Sequence, residues 1–225
     1  MYPSDYPTAW EHPPTRRAWA RQTTISILAF IGWFLSPWCL VFVLVGFLPT
    51  AFVAVFVIPI CYGAYRACIQ PLVISFDFRI RTLLRAYPWR LDETPYSLSA
   101  HPEASSTKPW FEFPHPERTG EHILMFLHLH YRTGFWDRRM APRAKPELKA
   151  QLSPIWFAGD PRFFGVIAAT KPGSDKAAPV PRRLHLLVQI GASKREAPID
   201  VNPWQAAPED LARARQAVGW RGPRD

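Results

Sequence analysis

From Ile25 through Tyr65 the chain carries no charged side chain at all, although it holds 27 Lys and Arg and 18 Asp and Glu elsewhere. An α-helix needs about 20 apolar residues to cross the hydrocarbon core of a bilayer. The run is too long for one such helix and suits two joined by a tight turn. Gly46-Phe47-Leu48-Pro49-Thr50 supplies the turn, since Gly relaxes the backbone and Pro presets the first turn of a new helix. The expected spans are 24–45 and 50–69. Backbone amides in lipid must be paired within their own segment, so helix is the expected state. A soluble cytosolic enzyme is not expected from such a chain. Nor is a disulfide-stapled secreted domain, because the chain has three Cys, too few and odd in number.

Flanking charge predicts orientation. Arg16, Arg17 and Arg21 precede the first span; Arg66, Arg79, Arg81, Arg85 and Arg90 follow the second, against the single acid Asp77. The connecting turn has no charge. The positive-inside bias then puts both termini in the cytoplasm and the turn outside, as in a multi-pass protein of the plasma membrane. Trp19, Tyr62 and Tyr65 suit interfacial belts, and Arg66, Arg79, Arg81 and Arg85 are the expected contacts to anionic lipid headgroups. Arg16-Arg17 before an apolar stretch imitates a twin-arginine export signal. The apolar stretch is longer than the ~7–15 residues of a cleavable signal and lacks a small-x-small site, so a cytoplasmic charge anchor is expected instead.

Within the spans, Ser36-Pro37 and Pro59 are expected to kink the helices. Gly32-x-x-x-Ser36 and Gly63-x-x-x-Ala67 are pairs of small residues that allow close helix approach, within the hairpin or between copies of the chain. Cys39, Cys61 and Cys68 read as small hydrophobes. An ion pathway or proton relay needs ionisable groups inside the membrane, and the uncharged run has none, so a transporter or channel is not expected.

Past the second span the composition changes. A basic segment, 70–87, contains Arg79-Ile-Arg-Thr-Leu-Leu-Arg85, a candidate helical continuation that ends before Pro88. Short apolar stretches separated by Pro-rich turns then predict strands at 96–100, 110–113, 122–132, 155–158, 162–170 and 183–190. Gly159-Asp160-Pro161 reads as a turn, and Leu184, Leu186, Val188 and Ile190 alternate with a period of two. The expected class is therefore α+β: a two-helix transmembrane hairpin followed by a small antiparallel β-rich cytoplasmic domain, barrel- or sandwich-like. The expected segments are a flexible N-terminal arm at 1–23, the hairpin at 24–69, the basic segment at 70–87 and the β-rich domain at 88–190. A Pro-rich tail at 191–225 follows, with a short helix at about 208–218.

Signals for chemistry are sparse. Five of the seven His fall between His101 and His130, and His128-x-His130 sits in an expected strand. Alternate strand residues lie about 6.6 Å apart on one face, so both rings can reach one metal. A third ligand would come from another strand, with His185 or Glu112 as candidates; His122, farther along the same strand, is out of reach. The bland alternative is a row of half-exposed strand residues. There is no Gly-x-Ser-x-Gly elbow, no phosphate-binding Gly-rich loop and no His-Glu-x-x-His. No catalytic residue and no cofactor are expected. Asp92-Glu93 and Glu209-Asp210 read as solvated or capping acids, and Trp110, Phe111, Trp156, Phe157, Phe163 and Phe164 as core.

Tyr87-Pro88-Trp89-Arg90 and Trp156-Phe-Ala-Gly-Asp-Pro-Arg-Phe-Phe-Gly165 resemble segments of uncharacterised two-span integral membrane proteins of high-GC Gram-positive bacteria. The 21 Arg against 6 Lys, the many Pro and the single Asn agree with a GC-rich coding bias. The resemblance implies the two-span architecture and no activity. Three functional readings follow. The first is a non-enzymatic module anchored at the inner leaflet, whose partners are the bilayer, anionic headgroups, another protein or a second copy of the chain. The second is a metal-binding enzyme or sensor using His128, His130 and His185. The third is a membrane-tethered nucleic-acid binder, to which the formal net charge of +9 lends some weight but no recognition motif does.

Overall fold

A computed structural model describes residues 2–47, 53–92, 110–118, 120, 122–127, 133–141, 143–152, 154–171, 179–189 and 207–218. It divides into a helical unit, Ala20–Phe78, and a second unit formed by Met1–Trp19 with Arg79–Asp225.

Two long helices dominate the first half of the chain, α1 (Pro13–Phe47) and α2 (Val53–Ala86). Helix α1 starts on two prolines, whose fixed φ and missing N–H suit a first turn. Helix α2 stops just before Tyr87-Pro88. It includes the whole basic segment Arg79–Arg85, and it also carries Pro71 in its interior beside Pro59. Both helices extend past the expected apolar spans into charged sequence. In the helical unit the close approach is at Gly63: a Cβ there would lie 2.9 Å from Ser36 Oγ and 3.1 Å from Pro37 Cγ. A Cβ at Gly32 would meet nothing within 4 Å. The close contact therefore joins Gly63 of the second small-residue pair to Ser36 of the first. Polar side chains also join the helices. Gln22 Nε2 donates to Asp77 Oδ1 at 2.8 Å, and Gln70 Nε2 donates to the Ser26 carbonyl at 3.1 Å.

The second unit is built on a six-stranded antiparallel sheet: β1 (Arg90–Asp92), β2 (Trp110–Pro114), β3 (His122–Leu127), β4 (Ile155–Asp160), β5 (Phe164–Thr170) and β6 (Pro181–Gln189). The spatial order is β1-β4-β5-β6-β3-β2, and the sheet is curled like half a barrel. Between β3 and β4 the chain forms two short helices, α3 (Gly134–Met140) and α4 (Pro146–Ala150); near the C-terminus comes α5 (Pro208–Val218). The expected strand at 96–100, the Leu48–Thr50 part of the expected turn, and residues 191–206 lie outside the described residues. The expected strand 122–132 ends at Leu127, with 128–132 also outside them, and the next described element is helical. The turn expected at 159–161 falls slightly later, because β4 runs through Asp160.

Both sheet faces are covered. On one, Phe111, Phe113, Ile123, Met125, Phe157, Ile167 and Leu187 pack with Phe135 and Trp136 of α3 and with Leu152. On the other lie Trp156, Val166 and Leu186, all buried. Trp156 meets Trp89 edge-on at 5.4 Å and the His12 ring at 5.7 Å. The N-terminal stretch expected as a flexible arm thus contributes to this core. Its Ala9 and Trp10 amides donate to the Tyr87 and Leu84 carbonyls at 2.8 Å each, and Thr15 Oγ1 accepts from Trp89 Nε1 at 2.9 Å.

Candidate functional site

Tyr87–Arg90 and Trp156–Gly165 come together in the sheet. Leu91 of β1 registers with Trp156 and Arg90 with Phe157, which brings Tyr87–Arg90 alongside β4. Within the second segment each residue type has a local cause. Gly159 has φ +148°, a conformation that side chains other than glycine rarely adopt, and a Cβ there would lie 2.4 Å from the Phe164 carbonyl. Its cross-strand partner Gly165 lies under the Phe157 ring, 2.3 Å from where a Cβ would fall. These absent side chains let the β4–β5 hairpin close tightly, and its turn presents Arg162.

Arg162 is 4% exposed and is the hub of a buried ionic cluster. Its Nε donates to both Asp160 oxygens at 3.0 and 3.2 Å, and its Nη2 donates to Asp160 Oδ2 and Asp210 Oδ2 at 2.7 Å each. Its Nη1 donates to Glu117 Oε1 in the β2–β3 connection. Burial alone would lower the guanidinium pKa. The bonds to Asp160 and Asp210 and the charges of Asp160 and Glu117 outweigh it and raise the pKa above the usual arginine value. Asp210 belongs to α5, so this cluster docks that helix, helped by Phe163 packed against Ala214 and Leu211. Arg213 of α5 lies over the Tyr87 ring at 5.9 Å. Burial first, and then the Asp160 charge, push the Tyr87 hydroxyl up to about 12. Arg162 is thus satisfied by carboxylates of β4, α5 and the β2–β3 connection and clamps these parts together. Asp210, expected as a solvated or capping acid, is part of this cluster.

The histidines divide. His128 and His130 lie outside the described residues. His185 is buried on the β6 face that meets α3, with its ring 6.0 Å from Trp136. Burial, and secondarily the Arg183 charge, push its pKa down to about 3. Glu112 neighbours Phe111 and Phe113 in β2 and points to the face opposite theirs. Glu112 and His185 therefore occupy different sides of the sheet. Among the described residues no group of three or more His, Cys, Asp or Glu is placed to hold a metal ion. His12 has its Nδ1 2.8 Å from Thr15 Oγ1, and burial lowers its pKa.

The arginines expected at headgroups stand in an aromatic setting. Arg79 and Arg85 are exposed and Arg81 is half-buried. The Arg81 guanidinium carbon lies 5.1 Å from the centroids of both Trp10 and Trp19, and that of Arg85 lies 5.3 Å from Trp10. The two indoles meet edge-on at 5.3 Å. In the helical unit, Arg66 lies 5.5 Å from the Trp33 ring, which in turn meets Tyr62 at 5.5 Å. Stacking occupies the guanidinium face and leaves its edge, where the N–H donors are, for anions. The part of this arrangement that sequence reasoning missed is Trp10. Its signal was present, a tryptophan near Arg16 and Arg17, but its partners Arg81 and Arg85 come only at the far end of α2.

No protein-family profile matches the chain, and no curated protein or solved structure shows significant similarity to it.

Proposed function

We propose that the chain is a two-pass membrane protein whose helical hairpin fixes the β unit at the inner leaflet, where it acts as a non-enzymatic binding module. The observation that carries this reading is the direction of the apolar surface. Pro13–Val43 and Val55–Ala86 are long and apolar enough to cross a membrane, yet only 6% and 11% of their most apolar stretches are buried. A core helix of a water-soluble protein would bury that surface; Trp38, Phe42 and Ile58 are instead 66–76% exposed. The Arg–Trp belt of Trp10, Trp19, Arg81 and Arg85 suits an interface, where aromatic rings and cations collect. Arginine flanks at both outer ends of the hairpin favour cytoplasmic termini. The resemblance to two-span proteins of high-GC Gram-positive bacteria agrees with this architecture, and the absence of hydrolase, nucleotide-binding and zinc-protease motifs favours binding over catalysis.

Alkaline carbonate washing of membranes that hold the full chain tests the anchor. Retention in the pellet is expected, together with protection of tags at both termini from protease added outside intact spheroplasts. Release as a dissolved monomer would overturn the reading, and digestion of either tag would overturn the orientation.

A further inference from the structure

The stacked arginines at the end of α2 amount to more than a general basic charge. Arg81 and Arg85 are four residues apart on one helix, so they share a face. One indole gathers them: the Trp10 centroid lies 5.1 Å from the Arg81 guanidinium carbon and 5.3 Å from that of Arg85. Trp19 of α1 lies 5.1 Å from the same Arg81 carbon and meets Trp10 edge-on. The shared ring is held by its own backbone. Trp10 N–H donates to the Leu84 carbonyl, and Ala9 N–H to the Tyr87 carbonyl, at 2.8 Å each. The N-terminal stretch is thus tied to the last turn of α2, and those ties place Trp10 against the two arginines.

Neither guanidinium has an acceptor. Among the described residues no hydrogen bond and no ion pair involves the side chain of Arg81 or Arg85; the interactions that they make are with the indoles. Arg81 Nε is buried and has no hydrogen-bond partner among those residues. The acids nearest in sequence are engaged elsewhere: Asp77 accepts from Gln22 Nε2, and Glu11 from Thr8 Oγ1. Two like charges brought to one ring repel, and a buried N–H without an acceptor costs free energy that an anion would recover. Stacking restrains both side chains, and guanidinium edges match phosphate oxygens in pairs.

The position favours a lipid phosphate over a free one. Helix α2 is long and apolar enough to cross a membrane, and the arginine pair lies in its last two turns, with Arg85 exposed. Tryptophan and arginine both collect at the level of the headgroups. A free phosphate would accept the same N–H bonds but gain nothing from the apolar helix that leads to them.

We propose that Trp10, Trp19, Arg81 and Arg85 form a site for the headgroup phosphate of one anionic phospholipid, in which the two arginines contact the phosphate and Trp10 positions them. The proposal deepens the anchored-module reading, on which it rests for placing this end of α2 at the inner leaflet, and names the lipid class that the module holds.

The test uses the full chain in neutral detergent, with native mass spectrometry counting bound lipid. Dioleoyl phosphatidylglycerol is the probe and dioleoyl phosphatidylcholine the uncharged control. Retention of phosphatidylglycerol at a saturable site, in preference to phosphatidylcholine, is expected. Arg81→Gln and Arg85→Gln should each weaken it about tenfold. Trp10→Ala should weaken it by a similar factor and Trp10→Phe by less, because a ring remains against both arginines. Arg215→Gln on α5, which removes one exposed charge far along the chain, should leave it unchanged. Equal retention of the two lipids, or equal losses in Arg215→Gln and in the Arg81 and Arg85 variants, would mean diffuse charge attraction and overturn the site. Displacement of the lipid by millimolar inorganic phosphate would assign the arginines to a free anion and overturn the lipid. Thermal midpoints separate loss of the site from loss of the fold; should Trp10→Ala lower the midpoint, Trp10→Phe and the arginine variants still decide. The carbonate wash, which probes only the anchor, keeps failure of the site distinct from failure of the anchored reading.

Discussion

The helical unit and the β unit handle apolar side chains in opposite ways. In the helical unit they point outward, and what is buried between the helices includes polar groups: Thr23, Ser26, Gln70 and Asp77 are all buried. In the β unit Trp89, Trp136, Trp156 and Phe111 are almost fully enclosed, and the charged groups inside are gathered on Arg162. This inverted distribution supports the proposed anchor, in which lipid solvates the first unit and water the second. The ties between elements differ accordingly. The helices approach at a glycine and through single hydrogen bonds, whereas the sheet and α5 are joined by a charge cluster and by Phe163 and Phe164 packed with Ala214 and Leu211.

That contrast can be broken in order of expected effect. Removing the β unit's charge hub should cost most. Arg162→Met leaves the buried Asp160 without its cation, at a cost of about 3–5 kcal/mol. Denaturant unfolding of the full chain in detergent should show an early loss of near-UV tryptophan signal while far-UV helicity persists. A simultaneous loss of both signals would mean the two units unfold as one. In the helical unit the comparable change is steric. Gly63→Leu drives a side chain into Ser36 and Pro37 and should destabilise by about 1–3 kcal/mol, lowering the thermal midpoint, whereas Gly32→Leu faces open space and should leave it nearly unchanged. Equal shifts would contradict the assignment of Gly63 to the helix contact.

The smallest effect per step is titration. His185 has a folded-state pKa of about 3, well below its ordinary value of 6.5, because burial and the Arg183 charge disfavour its cation. The unfolded chain therefore binds the extra proton first. The stabilisation is fully present above about pH 6.5 and is lost as pH falls toward 3, by about 1.4 kcal/mol per unit. His12, also lowered by burial, acts in the same direction. Stability of the β unit measured between pH 7 and 5 should fall in the wild type and fall less in His185→Gln. An unchanged slope in that variant would assign the acid sensitivity to other groups.

Local patterns made much of the fold legible. The uncharged run announced two long helices, the alternation in Leu184–Val188 announced β6, and Glu209-Asp210 followed by Leu211 announced α5. The misses have physical causes. Strand β1 is very short and exists only because β4, which follows long after it in the chain, pairs with it. The N-terminal stretch read as an unpacked arm because its prolines signal no element; its packing depends on carbonyls at the end of α2. Helix α3 holds too few residues for a helical period to emerge. The concentration of arginines near the helix ends was legible from charge alone, but not their stacking on Trp10, Trp19 and Trp33. The meeting of Arg139 and Arg183 at the Phe135 ring was not legible either, since it joins α3 to a bulge in β6 that no local pattern reveals.

Sequence alone determined the partition of the chain, because excluding charge from the whole of Ile25–Tyr65 is a statement about solvation that holds residue by residue. It also determined the turn and strand chemistry of Trp156–Gly165, where each side chain or its absence acts on its own backbone. Only the tertiary structure decided which acids meet Arg162, which glycine lies between the helices, and where the arginines of α3 and β6 gather. Those outcomes rest on distances between residues far apart in the chain, which the fold sets and no local preference contains.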